Sequence, residues 1–236
     1  MPLSCSNPAT TMSTVLILGA SRGIGLEFTR QYVAEGWTVF ATCRTEADRI
    51  RLRDLGAQTF RLDVMRLEDL AGLAWQLDGE RLDLAIVNAG VFGPRDSTLA
   101  KSPGDEEFDQ VMRTNVLPAM RMVPVLAPLL KPAAGTLAFV SSRMGSITEA
   151  SGSYGMLYRV SKAAVNMVAK LAHADYGATG IRVVSLHPGW VRTDMGGPNA
   201  DVAVDESIRG MRRVLADVPA HPGGGFYDFQ GQALPW

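Results

Sequence analysis

The sequence predicts a three-layer α/β/α fold, a doubly wound parallel sheet in a single domain. Three observations carry that expectation. Short aliphatic or β-branched runs alternate with helix-periodic segments through about six cycles, the pattern of a parallel sheet covered on both faces. Connections between them are short, as right-handed crossovers require. No linker, repeat or low-complexity segment divides the 236 residues.

Thr14–Leu18 reads as a buried strand, and Gly19–Gly25 follows at once. Leu26–Glu35 is helix-periodic and stops at Gly36. Val39–Cys43 is the second strand, and a helix from Thr45 or Glu46 to Leu55 is closed by Gly56. Thr59–Leu62 is the third strand, running into Asp63 and Val64 before a helix over Leu67–Leu77. Leu84–Val87 is the fourth and opens into Asn88, Ala89 and Gly90. After a Pro/Gly/Asp-rich loop from Phe92 to Gly104, Asp105–Leu130 predicts one long helix with proline kinks. Thr136–Val140 is the fifth strand, ending at Ser141 and Ser142, and Ser153–Tyr176 predicts a long helix. Ile181–Leu186 is the sixth strand, followed by His187, Pro188 and Gly189. Val202–Leu215 reads as a helix, Gly223–Tyr227 leads into a last strand, and the tail covers one sheet edge.

Composition narrows the classes. With 23 basic and 24 acidic residues the formal charge is −1, so no nucleic-acid footprint is expected. Cys5 and Cys43 make neither a disulfide framework nor a metal pattern, and a reducing cytoplasm is the simplest compartment. His173, His187 and His221 lack metal-ligand spacing, so no metal is expected. Residues 1–13 lack the basic start and apolar run of a signal peptide and read as a flexible leader, absent if translation starts at Met12. Val116–Leu130 is the longest apolar stretch, but Arg121 and three prolines interrupt it, and no membrane span is expected.

Ligands of such sheets bind beyond the carboxyl ends of the strands. That rule selects Gly19–Gly25, Asp63, Asn88–Gly90, Ser141-Ser142 and Pro188-Gly189 for one rim. Glycines at 19, 23 and 25 between strand and helix permit a tight turn and close approach of a phosphate to backbone N–H groups. The end of the second strand carries Cys43 and Arg44 rather than an acid, and Arg22 lies in the glycine turn. Two guanidinium groups could bracket a 2′-phosphate, which favours NADP(H) over NAD(H); the alternative is solvated surface charge. Asp63 could accept from an adenine amino group or cap the following helix.

Tyr158 and Lys162 are four residues apart on a predicted helix, so they share a face. An ammonium at roughly 4 Å favours a phenolate by about 4 kcal/mol at an effective dielectric near 20, and desolvation opposes it. Such a pair could serve as a proton donor or acceptor. Alone, the spacing fits an amphipathic tyrosine and a solvated lysine on a surface helix better.

Taken together, Gly19-x-x-x-Gly23-x-Gly25, Asn88-Ala89-Gly90, Asn115, Ser142, Tyr158-x-x-x-Lys162, Pro188-Gly189 and Thr193 resemble the short-chain dehydrogenase/reductase superfamily in its single-domain form, with a Rossmann fold. Ser141–Ser146, Tyr158–Ala164, His187–Gly196 and Gly231–Trp236 are similar to its C-factor and sniffer-like carbonyl reductase branch. The resemblance implies Tyr158 as general acid/base on a carbonyl or alcohol, with Lys162 lowering its pKa and binding the nicotinamide ribose. Ser142 would polarise the substrate oxygen, and Asn115 would place a water linking Lys162 to solvent. Cofactor contacts are implied for Gly19, Ser21, Arg22, Gly23, Ile24, Gly25, Arg44, Asp63, Val64, Asn88, Ala89, Gly90, Tyr158, Lys162, Pro188, Gly189, Val191 and Thr193. A homodimer or homotetramer is implied too.

One departure from the pattern and one alternative within it stand out. Leu18 precedes the glycines where threonine is usual, so a local hydrogen bond could be lost. Ser141 is an alternative hydroxyl to Ser142, although Ser142 with Gly145 fits Ser-x-x-Gly. Phe92, Met144, Tyr154 and Trp190 are candidate walls of a substrate pocket, and residues 194–216 a candidate lid with a glycine hinge. The other class of reading is a dinucleotide-binding signalling or regulatory protein of the C-factor type, needing little or no turnover.

Overall fold

The computed structural model describes residues 12–217 and 224–236. Most of the expected leader, together with Cys5, His221 and Gly223, lies outside them. Seven parallel strands form one sheet in the order β3-β2-β1-β4-β5-β6-β7. They are β1 (Thr14–Leu18), β2 (Thr38–Cys43), β3 (Gln58–Arg61), β4 (Leu84–Val87), β5 (Thr136–Val140), β6 (Arg182–His187) and β7 (Gly225–Asp228). Strand order reverses between β1 and β4, and a crevice opens there beyond the strand ends.

Side chains of a strand alternate between faces. Leu16 and Leu18 of β1 accordingly join one core and Val15 and Ile17 the other. The first core is closed by α3 (Leu67–Gln76), α5 (Leu117–Leu130) and α6 (Met156–Tyr176), through residues such as Leu73, Met122 and Val165. The second is closed by α1 (Gly23–Ala34), α2 (Glu46–Asp54) and α7 (Val204–Ala216), through Phe28, Leu52 and Met211. The three-layer expectation holds.

Three differences from the sequence reading exceed two residues. Helix α1 begins at Gly23, inside the glycine motif. The expected single helix over Asp105–Leu130 is two, α4 (Asp105–Asn115) and α5, broken at Val116. Pro118 explains the break: it has no N–H to continue the ladder, yet it is tolerated in a first helical turn, so α5 restarts there. By length and hydropathy alone, Asp105–Ala133 could cross a bilayer, but here it is broken and α5 turns Ala119, Met122 and Leu126 into the core. Helix α6 starts at Met156, not Ser153, because Gly155 sits at φ +63°.

The tail folds back on β7, with Leu234 N–H donating to the Phe226 carbonyl at 2.7 Å and Trp236 stacked on Phe226. The candidate lid divides into two parts. Residues 194–200 bridge the paired Val191 and Val202, whereas α7 buries Ile208 and Met211 completely and belongs to the core.

Candidate active site

The glycine turn is required by space as well as by backbone angle. Gly19 has φ +83°, and a Cβ there would lie 2.9 Å from Ala89 Cα. A Cβ on Gly25 would lie 2.1 Å from the Gly19 carbonyl oxygen and 2.7 Å from Asn88 Nδ2. Asn88 Nδ2 donates to the Gly19 carbonyl at 2.7 Å, tying the end of β4 to the turn. Gly19 N–H donates to Thr42 Oγ1 at 2.9 Å, and Ala20 N–H to the Thr42 carbonyl at 2.8 Å. Thr42, from the neighbouring strand, thus holds the turn that follows Leu18. The first turn of α1 has neither a side-chain cap nor an acidic residue, so its free N–H groups favour an anion.

A cleft beside this turn is lined by Gly19, Ser21, Arg22, Gly23, Ile24, Arg44, Asp63, Val64, Asn88, Ala89, Gly90 and Thr193. All were expected among the cofactor contacts; Gly25, expected with them, packs behind this lining. The absent Cβ atoms and the uncapped helix end make this lining fit the pyrophosphate and adenosine of a dinucleotide. Arg22 and Arg44 face the same cleft, and Arg22 Nη1 also pairs with Asp194 Oδ2 at 2.8 Å. Asp63 does not cap α3, whose N-cap is Arg66; its Oδ1 accepts from Met65 N–H at 3.0 Å in the turn before the helix, and the residue lines the cleft.

A larger cavity of about 560 Å³ continues from this cleft, sharing Ile24, Asn88, Gly90 and Thr193 with it. Ser142, Tyr158, Lys162, Pro188, Gly189 and Val191 line it. Tyr158 and Lys162 are buried on one face of α6, with Lys162 Nζ 5.6 Å from the tyrosine ring centroid. Lys162 Nζ donates to the Val140 carbonyl at 2.8 Å. Burial pushes the Tyr158 phenol up to about 12, and the Ser142 hydroxyl, within reach of it, pulls the other way. Burial also pushes the Lys162 ammonium down to about 8. Burial sets both values, and the Lys162 ammonium donates to the Val140 carbonyl rather than to the phenol.

Ser141 and Ser142 separate cleanly. Both line the cavity, but Ser141 Oγ donates to Asn166 Oδ1 at 2.6 Å, whereas the Ser142 hydroxyl is within hydrogen-bond reach of Tyr158. Gly145 lets this loop touch α6, since a Cβ there would lie 2.7 Å from the Lys162 carbonyl carbon. Asn115 stands beside the cavity rather than in its lining. Its Oδ1 accepts from Val91 N–H at 2.8 Å, and its Nδ2 donates to the Val91 carbonyl and to Ser161 Oγ, each at 2.9 Å. Its side chain is thus committed to holding the chain after Gly90, and the water-placing role expected of it does not rest on that side chain.

Phe92, Met144, Tyr154 and Trp190 all line the larger cavity. Phe92 stacks on Tyr158 with centroids 4.5 Å apart and lies 6.2 Å from Tyr154. A Cβ on Gly155 would come within 3.0 Å of Phe92 and 3.2 Å of Met144, so the glycine admits this wall. Trp190 Nε1 donates to the Gly196 carbonyl at 2.9 Å, fastening the 194–200 segment. His187, also in the lining, is pushed down to about 4, first by burial and then by Arg143, so it is neutral at pH 7. Among the described residues, no cluster of His, Cys, Asp or Glu could hold a metal ion.

Thr42, Ser161 and Asn166 were not singled out in the sequence. Asn166 had a signal, standing four residues after Lys162 on the same helical face. The other two are recognised only through their partners.

Residues 13–202 match the family model described as short chain dehydrogenase. The C-signal protein of Myxococcus xanthus is 39% identical over 159 residues, covering 66% of this chain and 93% of that protein. A short-chain dehydrogenase/reductase of Burkholderia multivorans with bound NADP superposes with a TM-score of 0.89 at 33% identity, covering 95% of this chain and all of that one. Carbonyl reductase Sniffer of D. melanogaster superposes with a TM-score of 0.88 at 27% identity and the same coverage.

Proposed function

The chain belongs to the short chain dehydrogenase family, in the branch of C-signal and Sniffer, and we propose that it is an NADP(H)-dependent oxidoreductase of small carbonyl and alcohol compounds. The carrying observation is that Ser142, Tyr158 and Lys162 converge on a cavity continuous with the cleft of the glycine turn. Gly19–Gly25 and the N-terminus of α1 would hold the pyrophosphate, with Asp63 and Val64 beside the adenine. Pro188, Gly189, Val191 and Thr193 would hold the nicotinamide amide, and Lys162 the adjoining ribose. When bound, the nicotinamide supplies or accepts the hydride.

The chain's own residues manage the proton. Ser142 and Tyr158 grip the substrate oxygen, and Tyr158 Oη gives it a proton in reduction or takes one in oxidation. The phenolate left after reduction is costly in a buried site, and Ser142 and the Lys162 ammonium stabilise it. Lys162 titrates near 8, so it carries its charge at neutral pH and loses it in mildly alkaline solution.

Preference for NADP(H) over NAD(H) is supported by Arg22 and Arg44 on one cleft and by the absence of an acid at the end of β2. The NADP bound to the Burkholderia relative accords with it. Residues 194–200 serve as the lid, hinged at Gly196 and Gly197 and latched by Arg22 to Asp194. A cytoplasmic homodimer or homotetramer is proposed as well. Val160, Met167 and Leu171 leave an apolar stripe exposed on α6 for a second copy to cover.

The test is a screen of aldehydes and dicarbonyls that follows consumption of NADPH. Turnover of any member supports the reading. Tight NADPH binding with no turnover would instead favour a signalling role, the reading that similarity to C-signal keeps open.

A further inference from the structure

We propose that the natural substrate carries a carboxylate, held at the mouth of the larger cavity by Arg95 and Arg159. The inference rests on the oxidoreductase reading of the same cavity and names the substrate class it takes.

Charge on the lining is lopsided. Arg95, Arg143, Arg159 and Lys162 stand against a single carboxylate, Glu149. Lys162 is buried beside Tyr158, and Arg143 is answered by Glu149 at 3.5 Å and Asp228 at 3.6 Å. Arg95 and Arg159 form no ion pair among the described residues, although both face the cavity.

Both guanidinium groups are held in place without being used up. Arg95 Nη2 donates to the Met195 carbonyl at 2.5 Å, and its Cζ lies 4.8 Å over the ring of Phe92. Arg159 donates through Nε alone, to the Tyr154 carbonyl at 2.9 Å, which leaves the outer edge of its fork free. A guanidinium fork matches a carboxylate in geometry and charge, and orienting it beforehand removes part of the entropy cost of binding.

The two arginines belong to one aromatic wall that reaches the reacting group. Phe92 carries Arg95 and stacks on Tyr158; Tyr154, beside Phe92, anchors Arg159. Arg95 Cζ is thus no farther from the Tyr158 ring than the sum of two short contacts. A carbonyl at Tyr158 and a carboxylate at the mouth fit one compact molecule, its apolar middle lying along Phe92 and Tyr154.

The experiment compares 4-carboxybenzaldehyde with its neutral methyl ester, methyl 4-formylbenzoate, as paired substrates with NADPH. The ester is the more electrophilic aldehyde, so intrinsic reactivity works against the expected result. Wild-type protein is expected to favour the acid by about tenfold or more in kcat/KM at low salt, the preference shrinking as salt screens the mouth. In the Arg95→Ala/Arg159→Ala double variant the acid-to-ester ratio is expected to fall about tenfold, the ester in each protein serving as internal reference. Arg95→Lys/Arg159→Lys is expected to retain part of the preference, because charge survives while the fork is lost. Turnover of the ester with no preference for the acid, or a ratio unchanged in the double variant, overturns the inference and leaves the oxidoreductase reading standing. Turnover of neither aldehyde also overturns the inference, while the oxidoreductase reading then stands or falls on the wider carbonyl screen.

Discussion

Replacing Lys162 by methionine is expected to stabilise the protein at neutral pH while abolishing turnover. Lys162 is 5% exposed, and burial lowers its pKa from 10.5 to about 8. At pH 7 both folded and unfolded chains carry the proton, and the folded one carries it at a cost of about 3 kcal/mol. The sign follows from the depressed folded value. The penalty is fully present below about pH 8 and is relieved as pH rises toward 10.5, where the folded chain has released a proton that the unfolded chain still holds. Methionine removes the charge at similar length but also removes the donor to the Val140 carbonyl, a loss of about 1–2 kcal/mol. The variant should therefore gain about 1–2 kcal/mol at pH 7. Between about pH 7 and pH 9.5 the wild type should gain about 2 kcal/mol on it, erasing the difference. Urea unfolding of both proteins at the two pH values measures this; subtracting one pH response from the other cancels titrating groups remote from Lys162, and Tyr158, pushed up to about 12, stays protonated in the folded chain across this range. Parallel responses to pH would refute the buried-ammonium account, as would a variant markedly less stable at pH 7.

Three further outcomes are expected. NADPH should raise the melting temperature more than NADH at equal concentration, and Arg44→Ala should narrow the gap; equal shifts in the wild type would sink the 2′-phosphate reading. Gly25→Ala should cost about 3 kcal/mol in chemical denaturation and weaken NADPH binding in titration, because its Cβ would meet the Gly19 carbonyl at 2.1 Å. Carbonyl reduction should fall as pH passes about 8, when Lys162 loses the charge that stabilises the phenolate. A pH–rate profile flat to about pH 10 would place the charge requirement elsewhere.

Much of this was legible in the chain because parallel strands announce themselves as short, doubly buried runs, and β1, β4 and β5 do so. The glycine turn was legible because its spacing is a steric demand, and the structure shows which atoms impose it. The break at Val116 was not, since Pro118 is as acceptable at the start of a helix as in a kinked one. Thr42 and Ser161 escaped notice because each acts on a residue far along the chain, Gly19 and Asn115 respectively. The weight of burial at Tyr158 was not legible for a related reason. Spacing along α6 put the ammonium on the right face, but how deeply that face is buried depends on β5, Phe92 and the Ser142 loop.

The central claim is that Tyr158 moves the proton in a reductase whose cofactor site is built separately. It is tested most directly by following the loss of NADPH absorbance with methyl 4-formylbenzoate in wild type and Tyr158→Phe, with NADPH affinity measured in parallel. The account predicts turnover in the wild type, its loss by at least about a hundredfold in the variant, and NADPH binding unchanged. Equal turnover in the two proteins would contradict it.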